Sequence, residues 1–323
     1  FVGTYGTFLH HGIPLRTAQI HSVTTITLGS SFLPYKLHDM SRRFSKPTHH
    51  PYFDKYNDFP EGLLTSELLA KAQQTLEDRL QGNYNLTMTY MPSFQEGKNK
   101  NVAIDSVHKD STVLMLHNFF DAPHTYEWML FENLWDWTTE TIKYCQTKSI
   151  PIAIKPHPKQ RLINNQAIAT LKELFPSSNS LCWLPTQLSN HSIFKKKPRL
   201  IITCYGSVAV EAAYSEMKVL CAGHHPAIGM KIGLTPTSIS EYFNLISNPI
   251  SITKGSPSLA TRFTAIHYYR QLTGINPSLE TYLATNPTKD RSISTIQLNE
   301  GAMKISEKIA KDIWENDFKN IRE

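Results

Sequence analysis

The chain has 323 residues, enough for two domains of ordinary size or one large one. Hydrophobic residues make up 40% and charged residues 19%, the balance of a globular protein, and no apolar run approaches the roughly 18–20 residues that span a bilayer, which excludes a transmembrane helix. The 33 Lys and Arg against 27 Asp and Glu leave a net +6, with 14 His besides; this mild surplus suits an anionic small ligand or membrane surface and falls short of a nucleic-acid binder.

The chain opens at Phe1 without Met and without a charged-then-apolar leader, so the expectation is a piece of a longer protein with no secretory signal. IPLRTAQIHS (13–22) is predicted as a short helix and VTTITLGSS (23–31) as the strand after it, a Rossmann-like pattern cut short at the front. Residues 30–60, rich in His, Pro, Arg and aromatics, show no period and are predicted as a long loop. Helical spacing returns in ELLAKAQQTLEDRL (67–80), with Leu68, Leu69, Ala72, Leu76 and Leu80 on one stripe. The polar run 95–111 reads as a connection between domains.

From residue 112 the rhythm is regular. TVLMLH (112–117), PIAIK (151–155), LCWLP (181–185), LIITCY (200–205) and KVLCAG (218–223) are predicted strands. Between and after them, 130–146, 166–175, 207–217, 241–246, 258–275 and 301–318 are predicted helices. Alternation of this kind predicts an α/β protein with a complete doubly wound, parallel-sheet domain after an incomplete one. The four cysteines (Cys145, Cys182, Cys204, Cys221) form no C-x-x-C pair, and three lie in apolar segments. They are expected to be buried free thiols in a reducing compartment, the cytoplasm.

In such sheets, ligands sit at the carboxyl ends of the strands. After TVLML comes HNFFDAPH, where Asp121 and His124 are one short loop apart. A carboxylate there can deprotonate a hydroxyl or attack an electrophilic carbon, and a His can bind phosphate or move a proton. Equally, Asp121 can merely cap the next segment and His124 be a surface residue. In IKPHPKQR, Lys155 and His157 leave a buried strand with Pro156 and Pro158 stiffening the backbone, which suits an anionic ligand. Lys159 and Arg161 read as an ordinary basic turn. The strand LIITCY runs into Tyr205-Gly206-Ser207 and a helix begins at once. Gly206 permits close backbone approach, Ser207 is predicted as the N-cap of an anion-binding helix start, and Glu211 lies one turn in, able to accept from ribose hydroxyls. His224 and His225 are adjacent, and with no third ligand evident they do not predict a metal site. Lys195-Lys196-Lys197 is expected to be a solvated turn feeding the next strand. The Walker phosphate loop, the G-x-S-x-G elbow, H-E-x-x-H and Asp-x-Asp are all absent from the sequence.

The run LHNFFDAPH…LFENLWDWTTETI…IAIKPHP, followed by TCYGSVAVEAAYSEMKVLCAG and SISEYF, resembles the capsule and surface-polysaccharide glycosyltransferases of GT-B fold. That group includes bacterial β-Kdo transferases and, more distantly, sialyltransferases. The resemblance covers about residues 110–245, and residues 10–28 are similar to the front of such proteins. It implies two Rossmann-like domains facing across a cleft. These would be an acceptor-side domain over 1–110, a nucleotide-sugar domain over 111–300, and a C-terminal helix (301–323) returning to the first. It further implies that His157, Ser207 and Gly206 hold the donor phosphate with Lys155 nearby, and that Glu211 binds the donor. Asp121 would be the catalytic carboxylate, beside His124. Roles for His10, His11 or Arg16 stay open. The co-substrate would be a nucleotide-sugar, with no cofactor and no metal. A CMP-activated acidic sugar such as Kdo is favoured, with UDP-sugars next. The acceptor would be a glycan or glycolipid, with no nucleic-acid partner, and peripheral attachment to the inner membrane face stays open. Competing readings are a CDP-glycerol-type glycerophosphotransferase, an epimerase of the same fold, and a non-catalytic glycan-binding scaffold.

Overall fold

The structure, a computed structural model, describes residues 2–3, 9–21, 23, 26–27, 36–37, 62, 64–81, 104–120, 129–157, 162–225 and 227–266. At the front, β1 (Val2–Gly3) and β2 (Ile26–Thr27) pair in parallel with helix α1 (Leu9–Ile20) between them, a βαβ unit. β3 (Lys36–Leu37) adds antiparallel to β2. A short strand therefore lies where the sequence, lacking any two-residue period, predicts only loop. Helix α2 (Ser66–Leu80) starts where the Thr65 hydroxyl accepts the Leu68 N–H at 3.2 Å. Its buried face carries Ala72, Leu76 and Leu80 of the predicted stripe, and Leu68 and Leu69 are partly buried.

The second part alternates as predicted: β4 (Thr112–Met115), α3 (Leu134–Thr147), β5 (Ile152–Lys155), α4 (Leu162–Leu174), β6 (Leu181–Trp183), α5 (Asn190–Lys195), β7 (Leu200–Thr203), α6 (Val208–Tyr214), β8 (Val219–Cys221), α7 (Ile239–Ser247) and α8 (Pro257–Thr264). The five strands form one parallel sheet in the order β6-β5-β4-β7-β8. Helix α3 begins four residues later than its apolar pattern predicts. The Asn133 side chain caps it, accepting the Asp136 N–H at 2.8 Å, while the Leu130 N–H is already committed to the Ala222 carbonyl. The short helix α5 was not predicted, because six residues are too few to show a helical period.

Alternate residues of each strand enter different cores, so the sheet is buried on both sides. Leu114, Ile152, Ile154, Leu200, Ile202 and Leu220 face α3, α4 and α7. Val113, Met115, Ala153, Ile201, Val219 and Cys221 face α5, α6 and the end of α2. Burial on two faces is why these strands read as unbroken apolar runs. Each buried Leu or Ile contributes about 1.5–3 kcal/mol relative to exposure. Trp137 of α3 donates its Nε1–H to the Tyr242 hydroxyl of α7 at 2.9 Å, and Thr141 meets the same oxygen at 2.8 Å. These bonds fasten α7 to α3 inside the core.

Helix α2 packs on α6 and α8, through Leu76 against Val210, Ala213 and Phe263. The loop ahead of α8 lies directly on α6. A Cβ on Gly255 would stand 2.2 Å from the Ala213 Cα, so no larger residue fits there. Among the described residues no helix is long and apolar enough to cross a membrane. The helix expected at 301–318, its return to the first domain, and residues 267–275 of the preceding helix lie outside the described residues.

Candidate functional site

The chain winds outward from β4 in both directions: β5 and β6 lie on one side, β7 and β8 on the other. The topological switch point of such a sheet therefore falls between β4 and β7, at their carboxyl ends. His117 stands there, two residues past β4, and is only 7% exposed. Its Nε2 accepts the Tyr205 N–H at 3.3 Å and lies 3.2 Å from the Thr203 hydroxyl, both from the end of β7. The ring rests on Tyr205 at 4.4 Å between centroids and meets the Trp137 ring edge at 6.1 Å. A nitrogen that accepts a backbone N–H carries no proton, so the neutral Nδ1–H tautomer satisfies these bonds. Burial, helped by the charge of His157, pushes the His117 pKa down to about 3. The imidazole is thus neutral near pH 7 and can accept or donate a hydrogen bond without carrying charge.

Lys155 closes β5 beside Met115 of β4 and is 5% exposed. Burial lowers its pKa to about 8, with the Glu211 carboxylate pulling the other way. An ammonium with that pKa keeps its proton at neutral pH. Pro156 is buried behind it and His157 follows, half-buried and electrostatically coupled to His117. The ends of β4, β5 and β7 thus bring two imidazoles and one buried cation into a common field.

The turn after β7 corrects one prediction. Ser207 has helical backbone angles and makes no capping bond with its side chain; its Oγ instead accepts from Arg79 Nη2 at 2.8 Å. Gly206 approaches protein, not open space. A Cβ there would come within 2.9 Å of the Thr203 Oγ1 and 3.2 Å of the His117 ring. Glu211 is 4% exposed and its carboxylate is engaged on both oxygens, Oε1 by Arg79 Nε and Oε2 by Asn190 Nδ2 at 2.6 Å. Arg79 and Asn190 were missed by reasoning from sequence. Arg79 is 132 positions from Glu211, and Asn190 belongs to the helix that showed no period. His117 had a signal in the sequence, as the polar residue ending a buried apolar strand.

Asp121, His124, Lys159 and Arg161 lie outside the described residues, as do the side chains of His10 and His11. Arg16 sits half-buried in α1. His225 is buried, its Nδ1 accepting the Ala227 N–H at 3.3 Å, and burial lowers its pKa to about 4. Among the described residues no group of three His, Cys, Asp or Glu side chains is placed to hold a metal ion. Lys196 pairs with Asp105 at 2.9 Å on the surface, and Lys197 turns with a φ of 50° ahead of Pro198, a solvated turn into β7. Cys145, Cys204 and Cys221 are buried free thiols and Cys182 is half-buried; burial raises the pKa of each, which leaves them unreactive.

No family model matches the chain, and no curated protein does. Among solved structures, it is similar to the beta Kdo 2,4 transferase of Thermosulfurimonas dismutans KpsC, at 14% identity over 82% of this chain and 78% of that one, with a TM-score of 0.47. It is also similar to the beta Kdo 2,7 transferase of the same KpsC, at 13% identity over 75% and 69%, with a TM-score of 0.41. A third is the Methanocaldococcus jannaschii UDP-GlcNAc 2-epimerase in complex with UDP-GlcNAc and UDP, at 12% identity over 82% and 74%, with a TM-score of 0.38. Likeness at this level carries no residue role or activity across.

Proposed function

We propose that this chain is a glycosyltransferase of GT-B type that binds a nucleotide-activated sugar at the switch-point crevice and passes the sugar to a glycan or glycolipid. The observation that carries the reading is that buried Lys155 and half-buried His157 at the end of β5, and Ser207 just past β7, flank the neutral His117 that follows the intervening β4. The leaving group of glycosyl transfer is an anionic nucleotide phosphate, so negative charge grows on its oxygen as the bond from the anomeric carbon breaks. Fixed donors and a cation already aimed at that oxygen stabilise the developing charge without reorganising. Asp121 would take the proton from the acceptor hydroxyl while that oxygen bonds to the anomeric carbon in an inverting enzyme. In a retaining one it would attack that carbon itself. His124 would hold the acceptor or the phosphate beside it.

The favoured donor is a CMP-activated acidic sugar such as Kdo, with no metal or cofactor, and the expected setting is the cytoplasm, at or near the inner membrane face. The test is a thermal-shift and calorimetric screen of CMP, CDP, UDP and GDP on the wild type and on His157→Ala, since a ligand that binds the native state raises its apparent stability. CMP binding lost in His157→Ala supports the transferase reading. A preference for CDP would put glycerophosphate transfer first, and UDP would bring forward hexose donors and the epimerase. Asp121→Ala that binds nucleotide without turnover separates an enzyme from a glycan-binding scaffold. No response to any of the four would overturn the site.

A further inference from the structure

The edge of the sheet opposite the switch point carries most of the positive charge. In a parallel sheet every strand starts at the same edge, so the residues just before β5, β4, β7 and β8, which are neighbours in that order, lie in a row. A cation precedes each of the four: Lys148 before β5, Lys109 before β4, Lys197 and Arg199 before β7, and Lys218 before β8. Lys254 joins them, because residues 218 and 254 pair in an antiparallel bridge. Against these six stand Asp110 and Glu216, while Lys196 and Asp105 cancel in their ion pair. Lys109, Lys148, Lys197 and Lys254 are exposed, and no carboxylate among the described residues pairs with any of them.

Cations at helix ends offset the helix dipole, and two of the six do that here. Arg199 Nη2 donates to the Ser247 carbonyl at 3.1 Å and to that of Ile246, at the end of α7, and Lys218 Nζ donates to the Pro249 carbonyl at 2.6 Å. Carbonyls are neutral, so both side chains keep their charge. Capping does not account for Ile250. The turn Pro249–Ser251 is pinned by these bonds on one side and by fully buried Ile252 on the other, yet Ile250 in its middle is 82% exposed, the most exposed large apolar side chain among the described residues. The Tyr144 hydroxyl meets Ser247 Oγ at 2.6 Å, and Lys148 follows Tyr144 by one helical turn. Lys148 therefore flanks the turn from the α3 side, as Lys218 and Lys254 do from the β8 side. A strand of nucleic acid would be met by aromatic rings for its bases, and an isoleucine supplies none. An anionic lipid surface matches both features: its phosphates take the cations, and its acyl boundary takes the apolar side chain out of water.

We propose that this edge of the sheet, with Ile250 at its tip and Lys148, Lys218 and Lys254 around it, is the face that docks the protein onto an anionic bilayer. Docked in this way, the carboxyl ends of the strands point to the aqueous side, where a water-soluble ligand arrives. The proposal gives a face to the membrane setting proposed above, and no residue of the nucleotide site takes part in it.

The test is co-sedimentation of the full chain with vesicles of phosphatidylcholine alone and of phosphatidylcholine with one third phosphatidylglycerol. Wild type, Ile250→Ser, Lys148→Gln/Lys254→Gln and the triple variant are compared, each checked for a cooperative melt. All three positions are exposed, so the variants should fold as wild type does. Wild type should bind the anionic vesicles and not the neutral ones, and raising NaCl from about 0.05 to 0.3 M should release it as screening shortens the reach of the charges. Each cation near such a surface corresponds to about a fivefold change in partition, so Lys148→Gln/Lys254→Gln should lose about 25-fold. Ile250→Ser leaves the net charge unchanged and should lose about tenfold, which a general attraction of a basic protein to anionic lipid does not predict. The two losses should multiply in the triple variant, and the calorimetric affinity of every variant for CMP should equal that of wild type. Ile250→Ser or Lys148→Gln/Lys254→Gln binding vesicles as tightly as wild type would overturn the assignment of this face. Wild type that fails to bind the anionic vesicles would overturn the docking, and capture by heparin in its place would assign the cations to an acidic glycan. Binding of CMP without vesicles removes the docking alone, whereas binding of vesicles through this face without any nucleotide removes the nucleotide reading alone.

Discussion

Replacing Gly206 by alanine adds one methyl group at the point where the turn leaving β7 passes under His117. Built on the backbone, that carbon lies 2.9 Å from Thr203 Oγ1, 3.2 Å from His117 Cε1 and 3.3 Å from His117 Nε2. Separations this short force a shift, and neither neighbour is a loose chain end: Thr203 is fully buried in β7 and the His117 ring is 7% exposed. The ring must move off Tyr205, loosening the 3.3 Å bond from the Tyr205 N–H and the 3.2 Å contact with Thr203. Overpacking of a filled interior costs about 1–3 kcal/mol. Leaving the buried Tyr205 N–H poorly paired adds to that in the same direction. The assay is urea unfolding of Gly206→Ala followed by far-UV and aromatic circular dichroism, with Gly62→Ala as the control. Among the described residues no atom lies within 4 Å of a Cβ at Gly62, so that change should stay within about 0.5 kcal/mol of wild type. Gly206→Ala/Thr203→Ala, which removes the nearest clash, should regain part of the loss. A Gly206→Ala protein as stable as wild type, with unchanged nucleotide affinity, would refute the close packing of the turn on His117 and its place beside the site.

Lys155 titrates near 8 in the folded chain against an ordinary value of 10.5. Between those values the unfolded state holds more protons, so stability should rise with pH through that window. Nucleotide affinity should fall over the same range by up to about tenfold per unit as the ammonium is lost. Calorimetry from pH 7 to 9.5 reads it, and Lys155→Met should bind weakly with no such slope. His117 and His225 titrate near 3 and 4, below the ordinary 6.5. The unfolded chain therefore gains their protons first, and unfolding free energy should drop on acidification below 6.5 by at most about 1.4 kcal/mol per pH unit for each. A flat profile from 6.5 to 4.5 would contradict their burial as neutral rings, and His225→Gln should make the slope shallower. Tyr242→Phe leaves the Trp137 N–H without its 2.9 Å acceptor deep in the core. It should cost about 1–3 kcal/mol in urea unfolding, and a change under half of that would show that α3 and α7 are held by packing alone.

The α/β class, six of the eight strands and most of the helices of the second part were legible in the residues. A parallel strand buried on both faces is a continuous apolar run, and a covering helix keeps its stripe. Both are local signals. The strand ends that bear Lys155, His157 and Gly206-Ser207 were legible for the same reason, because a polar residue directly after a buried run has to leave the sheet. The buried state of the thiols followed from the apolar segments that hold them. Strands of two residues and a helix of six carry no period, so β1, β3 and α5 were out of reach. Only the tertiary structure decided the strand order that sets β4 beside β7, and with it the meeting of His117 with Thr203, Tyr205 and Gly206. The partners of Glu211 were decided there too. Arg79 reads as one charge on an amphipathic helix, and nothing local distinguishes it from its neighbours. Its worth comes from a contact across 132 positions, which depends on how α2 packs on α6, and packing between distant segments leaves no imprint on the local sequence of either one.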